Sequence, residues 1–343
     1  MSQNVSLDVA AIKSPVVDEL PLACSDENTA VEFFEAKRWP DRCACISCGS
    51  VNVYQMKKTK SNERQENYRW RCRDCSYQFT VKTGTIFEDS PVPLRKWAHA
   101  IWLSAAGKKG VAALELQRTI QVTYKTALFM LHRIRFAMDD SGESEPLDGV
   151  VEVDEVYVGG RPRKLSKQAR EALEREGKEI PKSKRGMGTK KTPVVAAVQR
   201  GGRIRRKVVA NVTAENLKQF LKGTVQCSAQ ICTDEARVYP KATEDHAGHH
   251  TVQHNANEYA RTDKATGLRV HTNTAEGSHS LLRRAINGTW HRVSEKHLHR
   301  YLSNCDFLWN TRRMSDGDRI LSLVQACEGK RLFYRAPQAR AAH

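Results

Sequence analysis

The chain has 343 residues, 40% of them hydrophobic, enough for two or three domains that each bury a core. Lysine and arginine number 56 against 39 aspartates and glutamates, a formal charge of +17, which directs attention to polyanionic partners, nucleic acid first. No apolar run approaches the ~20 residues of a membrane span, and Asp8, Lys13 and Asp18 interrupt the N-terminal stretch where an export signal needs an unbroken apolar core; a cytoplasmic protein with reduced thiols is expected.

Residues 1–40 read as a polar lead followed by one amphipathic helix, "CSDENTAVEFFEAKRWP", capped by Ser25 or Asp26 and stopped by Pro40. Residues 41–90 hold two C-x₂-C pairs, Cys45 with Cys48 and Cys72 with Cys75, separated by 23 residues. Each pair can place two thiolates on one tetrahedral ion, so a closed, structural zinc ribbon is predicted, with Cys43 as a competing fifth thiol. The remaining cysteines, Cys24, Cys227, Cys232, Cys305 and Cys327, are scattered and read as core or surface thiols. Arg69, Arg71 and Arg73 surround the second pair and Lys57, Lys58 and Lys60 precede it, a charge pattern suited to DNA backbone contact.

Residues 91–140 carry three helical patterns with tight turns near Gly107, Gly110 and Gln121. In the third, Thr123 can cap a helix whose Ala127, Leu128, Leu131, Ile134 and Met138 form the apolar side, leaving Tyr124, Lys125, Arg133 and Arg135 outward. A DNA-reading helix-turn-helix and a plain three-helix core both give this periodicity; the basic context favours the first. An acidic, Gly/Ser/Pro-containing linker over 141–149 ends this helical part of the chain.

The next domain, residues 150–315, opens on "VVEVDEVYVGG", a strand interrupted by Glu152, Asp154 and Glu155. An edge strand with its acids in water is one reading, a site the other. A basic insertion over 161–191 has twelve Lys/Arg against four Glu, and reads either as a DNA-contacting loop or as a solvated arm. A hairpin turning at Gly201-Gly202 follows, then a helix from about Ala214 to Lys222 and a short buried strand that ends at Asp234. Helices are expected from Thr274 onward. In the first of them Asn273, Glu276, Ser280 and Arg283 share one face, while Leu281, Leu282 and Ala285 are assigned to the packed side. One strand acid, one strand-end acid and one helix acid can converge on two Mg²⁺ ions, which prefer hard oxygen ligands. Residues 316–343 are read as a C-terminal tail.

The stretches "RWPDRCACISCGS…WRCRDCSYQFTVKTGTIFEDSPVPLRKW", "VEVDEVYVGG", "TDEARVY" and "HTNTAEGSHSLLRRAINGTWHRVSEKHLHRYLSNCDFLWNTR" resemble bacterial insertion-sequence transposases of the ISXO-like group, across roughly residues 25–315. The resemblance implies an α/β, ribonuclease H-like DDE domain with a mixed sheet, behind a zinc ribbon and a helix-turn-helix-like domain. It makes Asp154 and Asp234 catalytic metal ligands, with Glu276 or Asn273 as the third, and puts Arg283 near the DNA, with Arg284 beside it. It further implies Mg²⁺ or Mn²⁺ as cofactor beside structural zinc, transposon-end and target DNA as partners, a homo-oligomer on DNA, and a place at the nucleoid. Two rival readings remain: a non-catalytic zinc-ribbon DNA-binding regulator or repurposed transposase, and a metal-dependent nuclease or resolvase on the same fold.

Overall fold

The computed structural model describes residues 14–140, 145–159, 166–177, 189 and 191–333. The chain divides into two compact units, one built from the described residues up to Asp140 together with those from Thr311 onward, the other from those between them.

The first unit begins with a helix in what the sequence suggested was a polar lead, α1 (Val16–Ser25), followed by α2 (Glu27–Arg38). Asp26 is the residue that separates them: its carboxylate accepts the Thr29 amide at 2.9 Å and so satisfies one of the free N–H groups of the new helix. A three-stranded antiparallel ribbon follows, β1 (Val53–Gln55), β2 (Trp70–Cys72) and β3 (Gln78–Phe79). Then come α3 (Leu94–Ala106), α4 (Ala113–Ile120) and α5 (Tyr124–Ala137). The last two are divided at Gln121, which takes a left-handed conformation, and Thr123 caps α5 by accepting the Thr126 amide.

In the second unit the linker's Leu147 is fully buried and pairs with Val225. It leads into β4 (Val150–Val158). Part of the basic insertion is ordered as a helix, α6 (Lys167–Arg175), where the sequence suggested a loop or arm; Ser166 caps it and all its residues stay out of the core. The rest of the 161–191 segment lies outside the described residues except Ser166, Glu176, Gly177, Thr189 and Lys191. The predicted hairpin is β5 (Thr192–Gln199) and β6 (Ile204–Val208), and it is followed by α7 (Ala214–Lys222) and β7 (Gln230–Thr233). A short helix α8 (Tyr239–Ala242), β8 (Gly248–Thr251), a 3₁₀ turn (His254–Ala256) and a small pair β9 (Arg261–Thr262) and β10 (Arg269–Val270) follow. The unit closes with α9 (Asn273–Ala285) and α10 (Leu298–Asn310).

The sheet is mixed and five-stranded, in the order β6-β5-β4-β7-β8. β4 is antiparallel to β5 and parallel to β7, so it is the central strand and the edge reading is wrong. Alternation along β4 then assigns its two faces. Val151 and Val153 join Val195, Leu217, Phe220, Leu221 and Ile231 in the core under α7. Val156 joins Val194, Leu282, Leu298 and Leu302 under α9 and α10, which puts Glu152 and Asp154 on the α9 side of the sheet. Ion pairing of Arg206 with Asp306, and the Ile204 amide donated to Asn310 at 2.8 Å, fix α10 along β6.

From Thr311 the chain rejoins the first unit, where the sequence suggested only a tail after residue 315. Helix α11 (Asp316–Gln325) packs on α1, α2 and α3. Arg319 donates to the Ala105 carbonyl at 3.1 Å at the end of α3, and Lys330 donates to the Ala137 carbonyl at 3.1 Å at the end of α5. Both cations meet helix C-termini, where free carbonyls and the helix dipole favour positive charge.

Candidate active site and zinc centre

The ribbon builds its site from two tight turns. After Cys45 the chain reverses so that the Gly49 amide reaches the Cys45 carbonyl at 2.8 Å, with Gly49 at φ +75°, a conformation that favours glycine. After Cys72 an equivalent turn lets the Cys72 amide reach the Tyr77 carbonyl at 3.0 Å. The two turns are tied by Asn52, whose side chain donates to Asp74 at 2.9 Å and whose carbonyl accepts the Arg73 amide at 2.9 Å. The four sulfurs of Cys45, Cys48, Cys72 and Cys75 lie within 4.8 Å of one another, with Cys45 to Cys75 at 3.6 Å and Cys48 to Cys72 at 3.7 Å. A tetrahedral ion with Zn–S bonds of about 2.3 Å requires edges of about 3.8 Å, so the set fits zinc. Amide hydrogen bonds from Cys75 and Asp74 bring the Cys72 thiol down to about 7, toward the thiolate that zinc takes. Cys43 stands outside the set: among the described residues only those four sulfurs close to within 4.8 Å, and Cys43 is buried beside Trp39, Trp70 and Phe79.

The carboxylates of the second unit assemble from distant parts of the chain. Parallel pairing sets Val150 against Gln230 and Glu152 against Cys232; carried two residues further, the same register brings Asp234 beside Asp154, just past the end of β7. Burial raises the Asp234 carboxyl above its usual value and the Asp154 charge adds to the shift, while the Ala236 amide, 3.1 Å from Oδ1, opposes it. Glu155 on the opposite face is pushed up to about 7, mainly by burial, with Asp234 and Asp154 adding repulsion and the Tyr239 hydroxyl bond opposing it. Negative charge is crowded at this point, as a cation site requires.

Helix α9 supplies the rest, and Glu152 holds it in place. This carboxylate is fully buried, accepts the Thr274 and Ala275 amides at 2.8 and 3.1 Å, and pairs with Arg200 at 2.7 Å and His271 at 3.1 Å. It is an external cap for the first turn of α9, which has no side-chain cap of its own. Asn273, expected as a possible cap or third ligand, is the first helical residue, is exposed and does not cap the turn. From Ala275 to His279 the helix rises about 6 Å, close to the advance of about 7 Å from Glu152 to Asp154 along the strand. His279 accordingly reaches Asp154, Nε2 to Oδ2 at 3.4 Å. Glu276, one turn before His279, is half exposed and has Oε1 3.5 Å from His254 Nε2.

The sequence reading missed Glu152, His254 and His279. The histidines have no local pattern to betray them, and Glu152 could have been suspected only from its sharing a strand face with Asp154. Arg283 and Arg284 are exposed in the last turn of α9, two turns from Glu276, but Leu281, assigned to the packed side, is 39% exposed. In the first unit Arg71 is half-buried, Arg73 is exposed with its guanidinium 4.5 Å above the Tyr54 ring, and Tyr124 and Lys125 are exposed at the start of α5. Arg133 and Arg135 are not outward. Helix α5 is buried on all sides from Met130 to Arg135, so these two cations turn inward to carbonyls: Arg133 to Ile86 at 2.7 Å and Glu88 at 2.9 Å, Arg135 to Val111 at 3.4 Å.

The cysteine ribbon and the mixed-sheet domain that follows it, with one acid on its central strand and another just past the end of the adjacent one, each match a known transposase domain. Residues 25–78 match the transposase zinc-ribbon domain model and residues 146–310 the ISXO2-like transposase domain model. An uncharacterized protein in the transposable element ISH50 of Halobacterium salinarum is 32% identical over 286 residues, covering 80% of this chain and 88% of that protein. The chain belongs to the ISXO2-like transposase family. No solved structure matches it. Among the described residues no helix is long and apolar enough to cross a membrane.

Proposed function

We propose that this transposase cuts the ends of an insertion sequence and joins the freed 3′-hydroxyl to target DNA. The observation that carries the reading is that Asp154 lies on the central strand close enough to act on Asp234, just past the end of the neighbouring parallel strand, with the helix that bears Glu276 pinned to the same central strand by Glu152. The sheet order, with antiparallel pairing on the β5 side of β4 and parallel pairing on the β7 side, supports a ribonuclease H-like domain. Asp154, Asp234 and Glu276 would hold Mg²⁺ or Mn²⁺. When bound, such ions supply the positive charge that activates the attacking and leaving oxygens of a phosphodiester.

The chain's own residues set the geometry of the reaction. Glu152 fixes α9, and so the height of Glu276 over the sheet; His254 orients the Glu276 carboxylate. Arg283, Arg284 and the basic 161–191 segment offer phosphate contacts near the site, while Arg71, Arg73, Tyr124 and Lys125 offer them in the ribbon and the helix-turn-helix-like segment. We assign end binding to the first unit and cutting to the second, with the protein acting as an oligomer on DNA at the nucleoid.

The test is a cleavage and strand-transfer assay on a duplex carrying the inverted repeat that flanks the gene, run beside a duplex lacking it. Wild-type protein should cut only the first and join its 3′ end to a second DNA, and Asp154→Ala should do neither. Equal cutting of both duplexes would favour a nuclease or resolvase; binding without cutting would favour a regulator. Comparing Glu276→Gln with Asn273→Ala in the same assay identifies the third ligand, and near wild-type cutting by Glu276→Gln with a dead Asn273→Ala would transfer the role to Asn273.

A further inference from the structure

His279 is 1% exposed, and neither of its ring nitrogens has a hydrogen-bond partner. Leaving a buried polar group unpaired costs about 1–3 kcal/mol, a cost that a guest bound at these nitrogens would offset. The ring is packed under α9 with its Nε2 facing Asp154 Oδ2 at 3.4 Å, close enough for both atoms to face one small guest. His279 is also one helical turn beyond Glu276, on the same side of α9. The helix is anchored at Glu152, so the ring has a fixed approach to the strand and does not depend on an exposed loop for its position.

We propose that His279 is a further metal-ligating residue, its imidazole nitrogen sharing with Asp154 the cation that the carboxylates hold. The inference rests on the transposase-site reading above and adds nitrogen to an all-oxygen donor set. Carboxylate oxygens suit Mg²⁺ and Mn²⁺ alike, whereas an imidazole is a ligand for first-row transition ions and a poor one for Mg²⁺. His279 therefore biases the site toward Mn²⁺. His254 differs: its contact is with Glu276 and it is more exposed, so it serves to position that carboxylate.

The experiment is pulsed electron paramagnetic resonance on the tag-free, full-length protein loaded with Mn²⁺, together with Mn²⁺ and Mg²⁺ titrations, for wild type, Asp154→Asn, His279→Gln, His279→Asn and His254→Gln. Wild type should show ¹⁴N coupling to Mn²⁺, kept in His254→Gln and lost in both His279 variants. The His279 variants should bind Mn²⁺ about 10-fold more weakly, with Mg²⁺ affinity changed less than about twofold. Mn²⁺ binding that disappears in Asp154→Asn but shows no ¹⁴N coupling in wild type would overturn the role of His279 and leave the carboxylate site standing. Coupling lost only in His254→Gln would overturn it too. Mn²⁺ binding indifferent to Asp154→Asn would overturn the site reading itself. The wild-type spectrum decides even where a His279 variant folds poorly.

Discussion

The cysteine cluster and the proposed carboxylate site are built in opposite ways. The ribbon takes its ligands in adjacent pairs from two turns, and each sulfur is placed by backbone hydrogen bonds inside its own turn. The proposed carboxylate site would draw single residues from a central strand, a strand end and a helix that are far apart in the chain, and the buried Glu152 ties that helix to the strand. Among the described residues only the cysteine set closes to within 4.8 Å, while the three acids stand wider, as like charges do. Local sites are legible from spacing and fail with the ion; assembled sites need a fold that already exists and fail with the scaffold.

The largest effect should come from the ribbon. Cys72→Ser should lose its zinc and, with it, a binding free energy on the order of 10 kcal/mol that such small domains use to fold; metal analysis and hydrogen exchange should show an unprotected ribbon while β4, β5 and β7 stay protected. Retained zinc with a folded ribbon would break the comparison. Next, Asp154→Ala and Asp234→Ala should each lower cleavage about 10³-fold or more, with end affinity changed less than about threefold, read by single-turnover cutting and by equilibrium binding. A smaller effect is expected at the scaffold: Glu152→Ala should destabilise the second unit by about 3 kcal/mol, since it strands Arg200 and two helix amides, and Glu152→Gln by less. Urea unfolding checks this. The smallest separates packing from contact in α5. Arg133→Ala should cost about 2 kcal/mol of stability and leave DNA affinity unchanged, whereas Lys125→Ala should leave stability unchanged and reduce the slope of log affinity against log salt by about 0.9.

These cases show what the sequence could disclose. The cysteine pairs carry their own geometry in two intervening residues, and the turns at Gln121 and Gly201 are local, so both were legible. The sequence singled out Asp154 and Asp234 as an ordered pair of acids, and the fold sets them near one another. Their strand was ambiguous because β4 carries polar residues on both faces; only pairing with β5 and β7 makes it central. Arg133 and Arg135 misled because helical periodicity assumes one wet side, and α5 has none between Met130 and Arg135. Helix α11 was unreadable as part of the first unit because nothing local announces that Arg319 and Lys330 close helices two hundred residues earlier.

The central hairpin of the sheet bears on how such an enzyme can change. Strand β4 and strand β5 stay paired up to Val158 and Thr192, so residues 159–191 leave and re-enter the fold at neighbouring points on a closed stem. Joining two points already held together costs chain entropy that rises only with the logarithm of length, about 0.6 kcal/mol for each doubling. The segment can therefore lengthen, shorten or be exchanged at little cost to the strand that precedes it, which makes the stem a port at which the basic insertion can change while the sheet stays fixed.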